Sequence, residues 1–283
     1  MNKIFSPSSE FKVDLSKSGK GRYSLNGVSL SGATSICNMK SKPFLIAWAA
    51  SEAYKECVNL PKDKIAEIIK SKQYAHTRKS DNSKDKGTLA HKEVEKFINN
   101  YLETGKYIRA EIEDEEVKTS VDRFYNWAET NNVEFLGSEI SVYSALHFFA
   151  GTFDFVCKLD GKLLLGDFKT SKSIDDTYYA QGAAYAIAVE ENNPEVKFDG
   201  IIIVRSTLSK DDQVWYEKSS NGNAKKMTNS TFEVGIKYTM EREKAYFLSL
   251  LNIYKYSKDL EVKRWYQAPE ISDYREDDYP IDN

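Results

Sequence analysis

Cysteine is scarce in this chain: Cys37, Cys57 and Cys157 are the only three in 283 residues. They are far apart, odd in number and form no C-x-x-C pair. That speaks against a disulfide framework, a four-cysteine zinc site and a cysteine-held iron–sulfur cluster. Long apolar runs are missing too. The longest, Phe44–Ala50 and Ala183–Val189, fall short of the roughly 18 to 20 residues a membrane helix needs and read as buried helix segments. Met1–Lys20 has no apolar core for a signal peptide, and Glu10 and Asp14 do not suit a mitochondrial leader, so a cytoplasmic protein with no membrane partner is expected. Six prolines and 14 glycines are too few for a collagen-like or low-complexity chain, and 41% hydrophobic with 29% charged residues is ordinary for a folded globular protein.

Positive charge is also in short supply, at a net −3, which at first argues against nucleic acid. The distribution softens this. Residues 270–283 hold six acids against Arg275, so the remainder of the chain sums to +2. Between Lys70 and Lys92 there are seven basic and two acidic residues, a local basic path.

What is present is a sequence of recognisable elements. Asn26-Gly27 predicts a two-residue hairpin turn within Arg22–Ser29. Pro43–Cys57, Gly87–Glu103 and Asp114–Glu129 read as helices; in the second, Ala90, Val94, Phe97, Ile98 and Tyr101 form one apolar stripe. Val133–Tyr143, Phe148–Leu159 and Lys162–Lys169 read as strands. A helix capped by Asp175 or Asp176 runs to about Glu190, and Gly200–Arg205 is a β-branched strand. Strand, helix, strand predicts a right-handed parallel crossover. Gln213–Tyr216 would add an edge strand, and Thr231–Leu260 reads as one long helix. The fold class is α/β, a mixed central sheet flanked by helices.

The chemistry concentrates in one hairpin. Asp160-Gly161 separates two strand-like runs, and a two-residue loop there pairs Leu159 with Lys162. Continuing that register sets Asp154 opposite Asp167, with Cβ atoms about 5 Å apart. Alternation puts Lys169 on the face of Asp167 and turns Phe168 away. By the same rule Val156 and Leu165 lie on one side, and Phe153, Phe155 and Phe168 on the other. Two facing carboxylates on an apolar hairpin repel, and need a positive charge. A hard divalent cation with oxygen ligands supplies one and Lys169 another. Such a cation lowers the pKa of bound water and neutralises charge on a phosphate. Lys169 would orient or deprotonate the water, or stabilise the transition state.

These residues resemble a known family. Asp154 followed by Asp167-Phe168-Lys169 is similar to the PD-(D/E)xK nuclease signature, and the fuller pattern to its RecB-like exonuclease branch. Gly151-Thr152-Phe153-Asp154 matches G-T-x-D, Asp167-Phe168-Lys169-Thr170-Ser171 matches D-x-K-T-S, and Gln181 with Tyr185 matches Q-x-x-x-Y. Gly87-Thr88-Leu89-Ala90-His91 resembles the upstream G-x-x-x-H helix, with a weaker echo in Ser31–Ile36. Mitochondrial genome maintenance exonucleases and many phage-encoded exonucleases share this order without cluster-binding cysteines.

The resemblance implies a restriction-endonuclease-like core. It implies Mg²⁺ or Mn²⁺ held by His91, Asp154, Asp167 and the Phe168 carbonyl, and no iron–sulfur cluster. Catalytic roles fall to Asp154, Asp167, Lys169 and, on the preceding strand, Glu139. Gln181 and Tyr185 would lie near DNA, and the basic path supplies Arg78, Lys79, Lys84 and Lys86 as DNA contacts. Tyr178, Tyr179, Tyr125 and Trp127 are candidates for base stacking. The expected organisation is one domain over 1–268, helical from about 31 to 131, with its catalytic sheet over about 132–217, a C-terminal helix over about 231–260, and an acidic tail over 269–283. The expected activity is a metal-dependent DNA exonuclease acting on single-stranded or frayed ends. The alternatives are a structure-selective endonuclease and a nucleic-acid-binding protein that keeps the fold without cleavage.

Overall fold

Asn26 and Gly27 both take left-handed backbone, at φ 53° and 76°, as a two-residue turn matched to strand twist requires. They join β2 (Gly21–Leu25) to β3 (Val28–Gly32), with Leu25 opposite Val28. The computed structural model in which this is seen describes residues 10–15, 21–40, 44–58, 60–61, 64, 67, 75–218 and 224–267. Pro43 and the tail over 269–283 lie outside them. A strand the sequence reading lacks, β1 (Phe11–Leu15), pairs antiparallel with β2.

The helices that follow among the described residues include α1 (Ala33–Cys37), α2 (Phe44–Cys57), α3 (Ala75–Thr104) and α4 (Glu115–Thr130). The expected stripe on α3 is confirmed, with Ala90, Val94, Phe97 and Ile98 buried. Asp114 caps α4, its Oδ1 accepting the N–H groups of Glu116 and Val117 at 2.9 and 3.0 Å.

Next come β4 (Glu134–Ser144), β5 (Phe149–Leu159), β6 (Lys162–Lys169), α5 (Asp176–Asn192, capped by Asp175), β7 (Gly200–Ser206), β8 (Gln213–Lys218), β9 (Ala224–Asn229), β10 (Phe232–Lys237) and α6 (Glu241–Gln267). β6 and β7 are parallel across α5, as the crossover predicts.

Two expectations are corrected. Residues 232–237 are not helical: Phe232, Val234 and Ile236 alternate with period two, and β10 pairs antiparallel with β7, so the last helix starts only at Glu241. The sheet therefore reaches beyond residue 217 as well as upstream to β1–β3. And β8 is not an edge of the main sheet; it pairs with β9 in a separate two-stranded ribbon.

Among the described residues the main sheet has eight strands in the order β1-β2-β3-β5-β6-β7-β10, with β4 against β5. α3 and α4 pack on one face around Phe97, Phe124 and Phe155. α1, α5 and α6 pack on the other around Phe149, Tyr185 and Phe247. Among the described residues no helix is long and apolar enough to cross a membrane.

Candidate active site

One edge of β5 is taken along nearly its whole length by β4. The opposite edge is shared. β3 pairs there with Phe149 and Ala150, and β6 with Phe155 through Leu159. Residues 151–154, the G-T-F-D segment, lie in the notch between them. The hairpin register is as the Asp160-Gly161 turn dictates, from Leu159 with Lys162 up to Phe155 with Gly166. Asp154 and Asp167 are the next positions, where the two strands part.

The alternation of side chains does not run through this point. Phe153 packs beside Tyr185 on the α5 side, whereas Phe155 packs with Phe124 and Phe135 on the α4 side. β4 reverses with it: Ile140, opposite Phe153, belongs to the α5 side, while Ser138 lies opposite Phe155. The residue between them, Glu139, has a left-handed backbone at φ 48°, a conformation that costs a non-glycine residue about 1–2 kcal/mol. The expected grouping of Phe153 with Phe155 and Phe168 is thereby corrected. This reset lets Asp154 reach α3 while Asp167 and Lys169 face α5.

Each carboxylate has its own partners. Asp154 Oδ2 accepts the Phe168 N–H at 2.7 Å and lies 3.3 Å from His91 Nδ1. Lys169 Nζ donates to Asp167 Oδ1 at 2.8 Å and is 2.6 Å from Oδ2, to which no donor is aligned. The Asp167 side chain is 5% exposed and that of Asp154 16%. Burial, together with the charge of Asp154, pushes Asp167 up to about 6 against the pull of Lys169. Burial acts on Asp154 as well, but His91 and Lys169 outweigh it and hold that carboxyl below its usual range. His91 and Lys169 are both raised, because the carboxylates outweigh the burial that opposes their charge. Glu139 keeps an exposed side chain, yet the surrounding protein, Asp154 and Glu95 push it up to about 7. The outcome is one carboxyl that His91 and Lys169 hold in its ionised form and two carboxyls that resist losing their protons.

The motif glycines serve close approach. A Cβ on Gly151 would overlap Cε1 of Tyr185, and one on Gly87 would stand 3.0 Å from Thr170 Oγ1. Four separate motif segments thus touch in pairs, G-T-F-D with Q-x-x-x-Y and G-x-x-x-H with D-x-K-T-S. The His91 ring meets that of Phe168 edge-on at 5.2 Å between centroids.

Asp154, Asp167, Lys169, His91 and Glu139 come together. Gln181 and Tyr185 lie beneath the notch instead of on the surface: Gln181 is 9% and Tyr185 1% exposed, and the Gln181 amide donates to Thr34 Oγ1 at 2.7 Å and Tyr185 Oη at 2.6 Å. In this conformation they support the site from below. Lys86 is held by Glu116 at 2.7 Å and Asp114 at 3.3 Å, and Lys84 is exposed. Arg78 and Lys79 lie on α3, with side chains outside the described set. Of the stacking candidates, Tyr125, Trp127 and Tyr179 are buried, whereas Tyr178 flanks the site with Lys169 Nζ 5.1 Å from its ring centre.

The sequence reading missed a hydroxyl group of three. Thr152 Oγ1 is 2.8 Å from Ser141 Oγ and 3.3 Å from Tyr23 Oη. Only the motif position of Thr152 hinted at it.

No family model matches the chain, and no curated protein matches it. A solved protein from Eubacterium rectale, provisionally named an exonuclease, is similar at 10% identity over 59% of this chain, with a TM-score of 0.36. The solved protein SSO0001 is similar at 13% identity over 47%, with a TM-score of 0.23. The chain spans 64% of the length of the first and 54% of the second.

Proposed function

We propose that the chain is a divalent-metal-dependent DNA exonuclease that hydrolyses backbone phosphodiesters from single-stranded or frayed ends. The observation that supports this most is the pair of carboxylates, Asp154 and Asp167, where β5 and β6 part, one held by His91 and the Phe168 N–H, the other by Lys169.

Among the described residues no three His, Cys, Asp or Glu side chains form a ready cage. The fit to a cation rests on Asp167 Oδ2, buried with no aligned donor although Lys169 Nζ is 2.6 Å away, and on two carboxyls that burial and the charge of Asp154 push up. That is an oxygen-rich, negatively charged set, suited to Mg²⁺ or Mn²⁺. Asp154, Asp167 and the Phe168 carbonyl would hold the ion, with His91 beside them. When bound, it would lower the pKa of a water and offset charge on the phosphate.

The chain's own groups do the rest. The Lys169 ammonium, fixed by Asp167, orients the attacking water and offers a proton donor to a non-bridging phosphate oxygen. His91, 3.3 Å from Asp154, fixes the orientation of that carboxylate, and as a neutral imidazole would offer a nitrogen to the ion. Phe168, fully buried between α3, α4 and the sheet, anchors the backbone that carries Asp167 and Lys169.

The test is digestion of end-labelled linear DNA and covalently closed circular DNA, with Mg²⁺ or EDTA. The reading expects Mg²⁺-dependent loss of linear DNA alone. Cleavage of circles would favour an endonuclease, and undiminished cleavage in excess EDTA would remove the metal.

A further inference from the structure

Among the described residues four buried side-chain polar atoms lack a hydrogen-bond partner: Ser138 Oγ, Asp167 Oδ2, Arg205 Nη1 and Thr207 Oγ1. The last two are close in sequence and share a face. Ile201 and Ile203 of β7 pack on the α5 side while Ile202 and Val204 pack on the other. The β7–β10 register continues past the strand end, where the Thr207 N–H donates to Thr231 O at 2.9 Å. Arg205 and Thr207 therefore lie on the α5 face. Lys169 is the register partner of Arg205, so the two residues sit side by side on parallel strands whose backbones are spaced about 4.8 Å.

Arg205 is 1% exposed. Its Nε donates to Glu233 at 3.1 Å and its Nη2 to Ser230 O at 2.8 Å, which fixes the guanidinium and leaves one edge over. A buried charged donor left unpaired is costly, so an unused Nη1 and an unused hydroxyl two residues along the same face call for an acceptor. Residues 170–175, between β6 and α5, cross this end, with Ile174 reaching Gly235 beside Ile203; they include the hydroxyls of Thr170, Ser171 and Ser173. In open α/β sheets the carboxyl ends of parallel strands are where ligands bind.

We infer that Arg205 Nη1 and Thr207 Oγ1 form an anion subsite for a backbone phosphate of the nucleic-acid strand, next to the phosphate that meets Lys169. Arg205 supplies the planar fork that phosphate oxygens match and Thr207 a second donor. Glu233 and Asp212 are the carboxylates beside Arg205; the first holds Nε and the second is engaged by Thr231 at 2.6 and 2.9 Å. The inference rests on the nuclease reading for its choice of anion, and not for the existence of the site.

The test uses the full chain in EDTA with inorganic phosphate as the probe. Thermal unfolding is followed in phosphate and in chloride at equal ionic strength, for wild type, Arg205→Lys and Thr207→Val. Arg205→Lys keeps a charge for Glu233, and Thr207→Val keeps shape. Wild type is expected to be stabilised by phosphate and both variants to lose most of that shift. With metal and DNA, each variant should raise KM roughly tenfold, the worth of one charge-assisted hydrogen bond, with kcat changed less than about threefold. No phosphate shift in wild type, or equal shifts in all three proteins, would overturn the subsite even if DNA is cleaved. A shift lost in both variants without any DNA cleavage would uphold the anion site and overturn the nuclease reading.

Discussion

The ring of Tyr185 occupies the space that a side chain on Gly151 would need. Two motifs thirty-odd residues apart in sequence are therefore one packing unit, with the Tyr185 hydroxyl tied to Gln181 and through it to Thr34 on α1. Gly151→Ala should destabilise the protein by about 1–3 kcal/mol through overpacking. Tyr185→Phe should cost about 1 kcal/mol through its lost hydrogen bond. Tyr185→Ala has a larger cost of its own, and in Gly151→Ala/Tyr185→Ala the costs of those two single changes should not add, because the second removes the clash. Denaturant midpoints of wild type, Gly151→Ala, Tyr185→Ala and the double variant check this.

Glu139 carries the strain of the notch. With its backbone at φ 48°, Glu139→Gly should raise stability by about 1 kcal/mol while removing a carboxyl beside Asp154. Urea unfolding reads the first effect and cleavage the second. If Glu139 acts in the reaction, the more stable variant is the less active one.

The metal-free protein should grow more stable on mild acidification. Asp167 and Glu139 are raised to about 6 and about 7, and His91 is raised as well. All three bind protons more tightly folded than unfolded, so stability rises as pH falls from about 8 to about 5.5. Asp154, held low chiefly by His91 against the effect of burial, opposes the trend only once pH falls below the ordinary carboxylate range, where the unfolded chain takes up this proton before the folded one does. Denaturation in EDTA across this range tests the sign. Mn²⁺ should reverse the slope, since it binds the deprotonated ligands.

The hairpin was legible because two rules suffice: Asp-Gly sets the loop, and a fixed side-chain period carries the register from Leu159 and Lys162 to the edge of Asp154. The apolar face of α3 follows from spacing in the same way. The face reset at Glu139 and Asp154 was not legible, because nothing in a glutamate announces a left-handed backbone. The six residues of β10 are too few for periodicity to separate strand from helix; their pairing with β7 decides it. Nor does sequence tell a surface Gln181 from one buried against Tyr185, since helix spacing puts both on one face either way.

His91 should matter through the metal more than through the proton. His91→Ala is expected to lower cleavage at low Mg²⁺ and to recover part of it with excess Mn²⁺, which binds mixed nitrogen and oxygen sites more tightly. Titrating each ion against rate for wild type and variant checks it. An unrecoverable loss would assign His91 to the chemical step.

The most direct test of the site is cleavage of end-labelled DNA by wild type, Asp154→Asn, Asp167→Asn and Lys169→Ala, assayed together with Mg²⁺ or Mn²⁺ at matched folded fraction. The two Asp→Asn changes keep size, Lys169→Ala truncates the side chain, and each deletes one charge of the interlocked set. The account predicts metal-dependent cleavage by wild type and a loss of about a hundredfold or more in each variant. Wild-type rates in Asp167→Asn would contradict it.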